Sequence, residues 1–266
     1  MPKESPVKYK VRLMISYDGT DFVGWQKQNS DPNTIQGILE NVVSTIFNKP
    51  TRVIGTSRTD SGVHALCQMA HFECDRDPRS FQLLRALNNM TPFNISIKKA
   101  WLAPNDFHAL GSKSHKSYRY YILNSDFSDA FKSRYTWWYP KKLSLDWLNE
   151  ASKSLVGTHD FKSFQSTGSD AKTTVRQITR AHWTLKDGNL LVFSIEGFGF
   201  LKQMVRNIVG TLIDSERYGM PTSEIQNIMG KKDRQAAKTT APAHGLFLAA
   251  INFDKNTEAQ FQEISS

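Results

Sequence analysis

The chain has 266 residues, of which 39% are hydrophobic, and this length is enough for a substantial core in one large domain or two small ones. Its formal net charge of +9 indicates a polyanionic partner, either a nucleic acid or a membrane surface. No apolar run approaches the length that spans a bilayer, and two cysteines cannot form a disulfide framework. The first ten residues lack the apolar core of a secretion signal, so we expect a cytoplasmic protein.

The hydrophobic pattern predicts the order strand, helix, two strands, helix, strand, and then approximately the same order again. In residues 1–105, the predicted strands are at 9–17, at 51–54, in a run that follows residues 55–65 and ends at 72, and at 95–101. The predicted helices are one from 35, with Thr34 as its N-cap, and one at 81–87. In residues 106–266, they are strands at 118–123, 178–185, 190–195 and 246–251, and helices at 143–156, 201–218 and 223–229. This is the ferredoxin-like order used twice, and it predicts an α+β fold with a mainly antiparallel sheet and helices on one face.

A turn between two predicted strands holds the carboxylate of Asp60. Small polar residues surround Asp60 within residues 55–65, and Arg58 lies two positions before it. Catalytic residues are often placed on such turns, because the strands hold them rigidly while a large ligand still reaches them. A plain Asx turn with a local ion pair is the alternative interpretation.

Two further segments carry candidate side chains. Alternation along the strand places Lys116, Tyr118 and Tyr120 on one face, where a tyrosine ring can stack on a nucleobase or pack in the core. On the predicted helix at 201–218, Arg206 lies at the edge of the apolar stripe. It can reach inward to a carboxylate or phosphate, or return its charge to water as a flanking arginine.

One spacing is typical of a metal site. His64, Cys67, His71 and Cys74 lie three, four and three residues apart, which on a helix would gather four zinc ligands on one face. The β-forming neighbours favour a strand, which divides the four between opposite faces, so we expect no metal site there. Since the sequence also has no glycine loop that cradles nucleotide phosphates, we expect no bound cofactor.

The segment Ser57-Arg58-Thr59-Asp60-Ser61-Gly62-Val63-His64-Ala65 resembles the signature of the tRNA pseudouridine synthase A (TruA) family. Further family-like motifs follow in order at residues 17–28, 116–120, 157–164, 200–207 and 241–246, so that the resemblance runs nearly end to end. Three positions depart from it. Ser57 stands where the family usually has glycine, Ser61 where alanine is common, and Leu110 where arginine is frequent. A positive φ at position 57 would strain the serine.

The resemblance implies two ferredoxin-like halves that share one continuous sheet, with a basic cleft that contains Asp60. It implies a homodimer that isomerises uridine to pseudouridine at positions 38, 39 and 40 of the tRNA anticodon arm, without a cofactor or a metal. Asp60 would attack the sugar carbon or uracil C6, or act as a base, and Arg206 would keep it ionised and oriented. Tyr118 would stack on the target base and help with proton transfer, and Arg58 would fill the vacated space or grip the adjacent phosphate.

Other classes of protein remain open from sequence. A non-catalytic RNA-binding protein of the same fold would need the basic surface but not Asp60, Tyr118 or Arg206. A paralogue acting on another RNA would keep all three. A carboxylate-based nucleoside hydrolase would need a second carboxylate near Asp60, and the motif offers none.

Overall fold

The structure, a computed structural model, describes residues 8–169 and 171–264. Within them the chain forms six α-helices: α1 (Ile35–Phe47), α2 (Leu83–Met90), α3 (Leu145–Ser152), α4 (Met204–Arg217), α5 (Glu224–Lys231) and α6 (Lys255–Glu258). The strands are β1 (Tyr9–Tyr17), β2 (Ile54–Gly55), β3 (His64–Cys74), β4 (Ile95–Ala103), β5 (Ser114–Leu123), β6 (Trp137–Trp138), β7 (Gly157–Asp160), β8 (Val175–Lys186), β9 (Leu190–Phe198), β10 (Leu246–Phe253) and β11 (Gln262–Glu263). The α+β class and the mainly antiparallel pairing agree with the prediction.

The first of two compact units contains residues 1–114 and 250–266. Its strands lie in the order β11–β4–β1–β3, each antiparallel to its neighbour, and β2 pairs with β3. Helix α1 begins where the sequence predicts, because Thr34 Oγ1 accepts a hydrogen bond from the N–H of Gly37 at 3.3 Å. The largest fully buried side chains of this unit include Leu13, Ile15, Trp25, Ile35, Leu39 and Phe72.

The second compact unit contains residues 115–249. Its strands lie in the order β5–β9–β8–β7, again antiparallel, and the two residues of β6 pair in parallel with β5. The sequence Asp187-Gly188-Asn189 predicts a hairpin turn between β8 and β9, and this is confirmed, since Asp187 and Gly188 both have the positive φ that a tight hairpin requires. The largest fully buried side chains here are Tyr120, Phe161, Phe164 and Phe193.

The compact units differ from the predicted halves at 1–105 and 106–266, which remain a prediction about domains. Residues just beyond 105 still belong to the first unit. The ring of Phe107 packs edge-on against those of His71 and Phe253, at centroid distances of 5.7 and 5.3 Å. The end of the chain belongs there too, since β11 pairs with β4.

Several predicted boundaries differ from the structure by two or more residues, and two of them flank candidate site residues. Helix α4 begins at Met204 rather than at residue 201, because Gln203 has a left-handed backbone with a φ of 58° that an α-helix cannot contain. Strand pairing before the Asp60 turn covers only Ile54 and Gly55, whereas the sequence predicts a strand over residues 51–54. Short elements such as β7, α6 and β11 carry too little periodicity to be predicted.

Candidate active site

Asp60 lies on the turn between β2 and β3, and its side chain is half-buried. The loop before α1 holds this turn through backbone hydrogen bonds. The N–H of Trp25 donates to the carbonyl of Thr59 at 3.0 Å, and the N–H of Gly62 donates to the carbonyl of Phe22 at 3.3 Å. Within the turn, the N–H of Val63 donates to the carbonyl of Asp60 at 3.2 Å. The backbone on both sides of Asp60 is therefore fixed.

A glycine allows this loop to lie directly against the turn. Gly24 has a φ of +91°, and a Cβ there would stand 2.8 Å from the carbonyl oxygen of Thr59 and 3.1 Å from the carbonyl carbon of Asp60. Both the backbone conformation and the close approach exclude an ordinary side chain. Residues 22–28, an aromatic and amide-bearing segment that the sequence predicts as a loop, thus support the Asp60 turn.

Buried hydrogen bonds of the Tyr17, Thr59 and Gln68 side chains complete the support of the Asp60 turn, and the sequence pattern predicts none of them. The hydroxyls of Tyr17 and Thr59 share a hydrogen bond of 2.7 Å. The amide of Gln68 donates to the carbonyl of Ser57 at 2.7 Å and accepts from its N–H at 3.3 Å. The sequence signal for this contact is a glutamine among the apolar residues of β3. Because Gln68 is fully buried there, its amide must find a hydrogen-bond partner.

Two of the departures from the family pattern are Ser57 and Leu110, and neither has a strained backbone. Ser57 is not among the non-glycine residues with positive φ in the described part of the chain, so the expected strain is not found. Leu110 is 53% exposed. Arg58 is also exposed. It lies on the same turn as Asp60, so one turn carries both candidate residues of this unit.

Tyr118 lies on β5 and is 6% exposed. The ring of Phe200 meets it edge-on, with centroids 4.9 Å apart. Tyr120, which alternation places on the same face, has a structural role instead, since its hydroxyl donates to the carbonyl of Pro242 at 2.8 Å and its ring is fully buried. Burial raises the pKa of the Tyr120 hydroxyl far above its usual range, which excludes proton transfer by that group near neutral pH.

Arg206 occupies the first turn of α4 and is half-buried. Its Nε donates to the carbonyl of Ala241 at 2.8 Å, and the N–H of Ala241 donates back to the carbonyl of Arg206 at 3.1 Å. The next residue, Asn207, is fully buried and bonds to Phe164, Ser166, Arg234 and Thr240. Three segments of the second unit therefore fix the start of this helix.

The four residues with zinc-like spacing all lie on β3, as the strand prediction requires. The Nδ1 atoms of His64 and His71 accept backbone hydrogen bonds from Gly19 and Ala109, at 3.0 and 3.1 Å. Burial raises the pKa of both thiols, to about 12 for Cys74, so they stay protonated and bind metals poorly. Among the described residues, no group of three histidine, cysteine or acidic side chains could hold a metal ion.

The candidate residues fall into two pairs, with Arg58 and Asp60 in the first unit and Tyr118 and Arg206 in the second. Each pair is held by hydrogen bonds or ring packing within its own unit. None of the helices in the described part of the chain is long and apolar enough to cross a bilayer.

The comparisons with known proteins point to one family. The family described as tRNA pseudouridine synthase matches residues 13–110 and 151–254, more than half of the chain. A protein of Bdellovibrio bacteriovorus named tRNA pseudouridine synthase A is 43% identical over 96% of this chain and 99% of its own length. Proteins of the same name from Limosilactobacillus reuteri and Thermotoga maritima are 40% and 37% identical, over 94% and 92% of this chain and 99% of their own lengths.

Proposed function

The chain belongs to the tRNA pseudouridine synthase family, and we propose on this premise that it isomerises uridine to pseudouridine at positions 38, 39 and 40 of the tRNA anticodon arm. The observation that carries this proposal is the Asp60 turn, whose backbone is fixed on both sides while its carboxylate remains half-exposed. A nucleophile or base must be held in this way to act on a large substrate.

The reaction suits a carboxylate. It breaks the bond between uracil N1 and the sugar, turns the base while it stays bound, and forms a new bond from C5 to the same sugar carbon. Asp60 can attack that sugar carbon, as carboxylates do in retaining glycosidases, or uracil C6, or it can remove a proton from the ribose. Each route uses the same ionised oxygen, and no step requires a cofactor or a metal.

The other candidate residues have distinct tasks in this proposal. Tyr118 stacks on the target base, and its edge-on contact with Phe200 fixes the ring angle. Arg206 pairs with Asp60 and keeps the carboxylate ionised. Arg58 fills the space that the target base leaves or grips the adjacent phosphate, because the base must leave the helical stack to react.

At the level of the whole molecule, we propose two ferredoxin-like halves that share one sheet, with helices on one face and a basic cleft between them. We also propose a cytoplasmic homodimer in which each tRNA touches both subunits. Sedimentation of the purified protein, alone and with tRNA, measures this assembly. A monomer that retains full activity at nanomolar concentration would contradict it.

Release of tritium from C5 of uracil tests the function, because the new bond at C5 expels that hydrogen. Transcribed tRNA carrying the label is incubated with the purified protein, without cofactor or metal. We expect release by the wild type and none by Asp60→Asn, with unchanged tRNA binding and unfolding temperature. Asp106→Asn, which removes an exposed carboxylate from the same unit, should release tritium at the wild-type rate.

The outcomes separate the alternatives. Turnover by Asp60→Asn would remove Asp60 from the mechanism. Tight binding of tRNA without release by the wild type would favour a non-catalytic RNA-binding protein, or a paralogue that acts on another RNA. Mapping the pseudouridines in the product then determines which of the three positions react.

A further inference from the structure

Arg176 on β8 is half-buried, and its partners are unusual for an arginine. Its Nη1 donates to the backbone carbonyls of Thr173 and Val175, at 2.8 and 2.7 Å. Within the described residues, no carboxylate forms an ion pair with it. A guanidinium has five N–H donors, and a partly desolvated one without an acidic partner is suited to an external anion.

A second cation lies on the same face of the sheet. Lys116 on β5 pairs with Gly197 on β9, and Gly197 pairs with Ile178 on β8, two residues from Arg176. Because side chains two residues apart on a strand share a face, Lys116 and Arg176 are on one side of these three strands. Burial, and after it the nearby charge of Arg176, lower the pKa of Lys116 from 10.5 to about 8.

Two glycines lie next to these cations, Gly197 on β9 and Gly199 just after its end. Gly197 pairs with Lys116, and a Cβ at this position would stand 2.3 Å from the carbonyl oxygen of Gln177 and 3.0 Å from Cδ1 of Ile178. Gly199 has a φ of +75°, and a Cβ there would stand 3.3 Å from Nε and Cδ of Arg176. The Arg176 side chain therefore lies over the backbone of Gly199, just after the strand that separates the two cations.

Tyr118 sets the position of this surface relative to the substrate. It lies two residues after Lys116 on β5, so both side chains are on the same face, roughly 7 Å apart along the strand. We propose that Lys116 and Arg176 bind one backbone phosphate of the RNA strand that carries the target uridine, while Tyr118 contacts the base. This inference rests on the proposed function, which supplies the RNA substrate.

The first experiment measures RNA affinity in an Asp60→Asn background, where binding is followed without turnover. An anticodon stem-loop carries a fluorophore, and its anisotropy reports the dissociation constant at several salt concentrations. We expect Lys116→Gln and Arg176→Gln each to weaken binding about tenfold, the effect of losing one charged hydrogen bond. In the double variant, the loss should fall short of the product of the single losses, because both side chains hold the same phosphate.

The matched control is Arg180→Gln, which removes an arginine from the same strand. Arg180 is exposed and lies 3.8 Å from Glu196, so its loss should leave the affinity within twofold of the parent. The slope of log affinity against log salt should fall by about 0.7 in the double variant, as expected for one lost contact to a single-stranded phosphate. An unchanged slope and affinity would overturn the proposal.

The second experiment locates the phosphate. A series of stem-loops carries one neutral methylphosphonate at each position around the target uridine. With Lys116 and Arg176 intact, one position should lose about tenfold in affinity. In the double variant, that same substitution should have no further effect. A loss that persists unchanged in the double variant at every sensitive position would show that these residues contact no phosphate.

The two proposals fail separately. If the wild type forms no pseudouridine, the proposed function is wrong, whereas the binding assay still reports the phosphate contact. If Arg176→Gln unfolds in a thermal melt, Lys116→Gln alone carries the methylphosphonate test. Its outcome is then read in the same way, as loss or retention of sensitivity at one position.

Discussion

At the scale of single residues, Asp60 and Tyr118 differ in how they are held. The backbone around Asp60 is bonded on both sides, whereas the Tyr118 ring is held by packing against Phe200. Tyr118 can therefore contribute through its ring, its hydroxyl or both, and the two contributions can be measured separately.

For Tyr118→Phe we expect tRNA affinity within twofold of the wild type and a kcat lowered about 100-fold, the range typical of a lost proton-transfer group. The ring and its contact with Phe200 remain, so stacking is preserved. The control is Tyr121→Phe, which removes a hydroxyl from the opposite face of the same strand. Full activity of Tyr118→Phe in the tritium assay would leave stacking as its whole role.

His71 makes stability depend on pH. It is 3% exposed, and burial is the largest cause that lowers its pKa from 6.5 to about 4, followed by the charges of His108 and Lys10. Between these values the unfolded imidazole binds a proton and the folded one does not. The free energy of unfolding therefore falls as the pH drops from 6.5 to 4, by about 3 kcal/mol in total.

Urea unfolding of the wild type and His71→Gln at pH 7, 6, 5 and 4 measures this contribution. Glutamine retains an acceptor for the N–H of Ala109 but does not titrate. We expect the wild type to lose about 3 kcal/mol more than the variant over this range. Parallel curves for the two proteins would contradict the assignment.

At the scale of elements, the loop before α1 and the Asp60 turn act as one structural unit. Gly24→Ala forces a Cβ to within 2.8 Å of the carbonyl of Thr59 and strains a φ of +91°. We expect a destabilisation of about 2–4 kcal/mol and a fall in kcat, because the turn must shift.

The matched control for Gly24→Ala is Gly188→Ala in the β8–β9 hairpin. Gly188 also has a positive φ, of +75°, but a Cβ there would meet nothing within 4 Å. Only the conformational cost of about 1 kcal/mol should appear, with kcat unchanged. Equal losses of stability and of activity in both variants would mean that the contact with the turn has no role.

At the scale of the whole molecule, the end of the chain is joined to its beginning through Arg12. This β1 residue is 2% exposed, and its Nη1 lies 2.9 Å from Glu258. Its guanidinium lies 4.4 Å from the ring centroid of Trp101 and 4.1 Å from that of Phe261. A third ring, that of Phe253, lies 5.2 Å from the guanidinium, so a single side chain combines an ion pair with three cation–π contacts inside the first unit.

Arg12→Met should lower the free energy of unfolding by about 2–4 kcal/mol, because it removes these contacts together. Limited proteolysis should then cut residues 254–264 first. Arg79→Met, which breaks an exposed ion pair with Asp77, should change stability by less than about 1 kcal/mol. Equal effects of the two substitutions would show that Arg12 does not hold the C-terminal segment.

Local sequence determined most of the elements and the candidate residues. Alternation predicts β1, the Thr34 cap predicts the start of α1, and Asp187-Gly188 predicts the hairpin, because each signal depends on neighbouring residues alone. The segment around Asp60 indicates the candidate site for the same reason. Periodicity fails at the start of α4, because the left-handed Gln203 interrupts an otherwise helical pattern.

Tertiary structure decided the contacts between residues that are distant in sequence. Gln68 bonds to Ser57, Tyr17 to Thr59, and Asn207 to three separate segments. Lys116 and Arg176 share a face because β9 lies between their strands and its register with β5 and β8 aligns them. Sequence spacing carries no information on such pairings, since they depend on strand order and register, which the packing of the whole unit fixes.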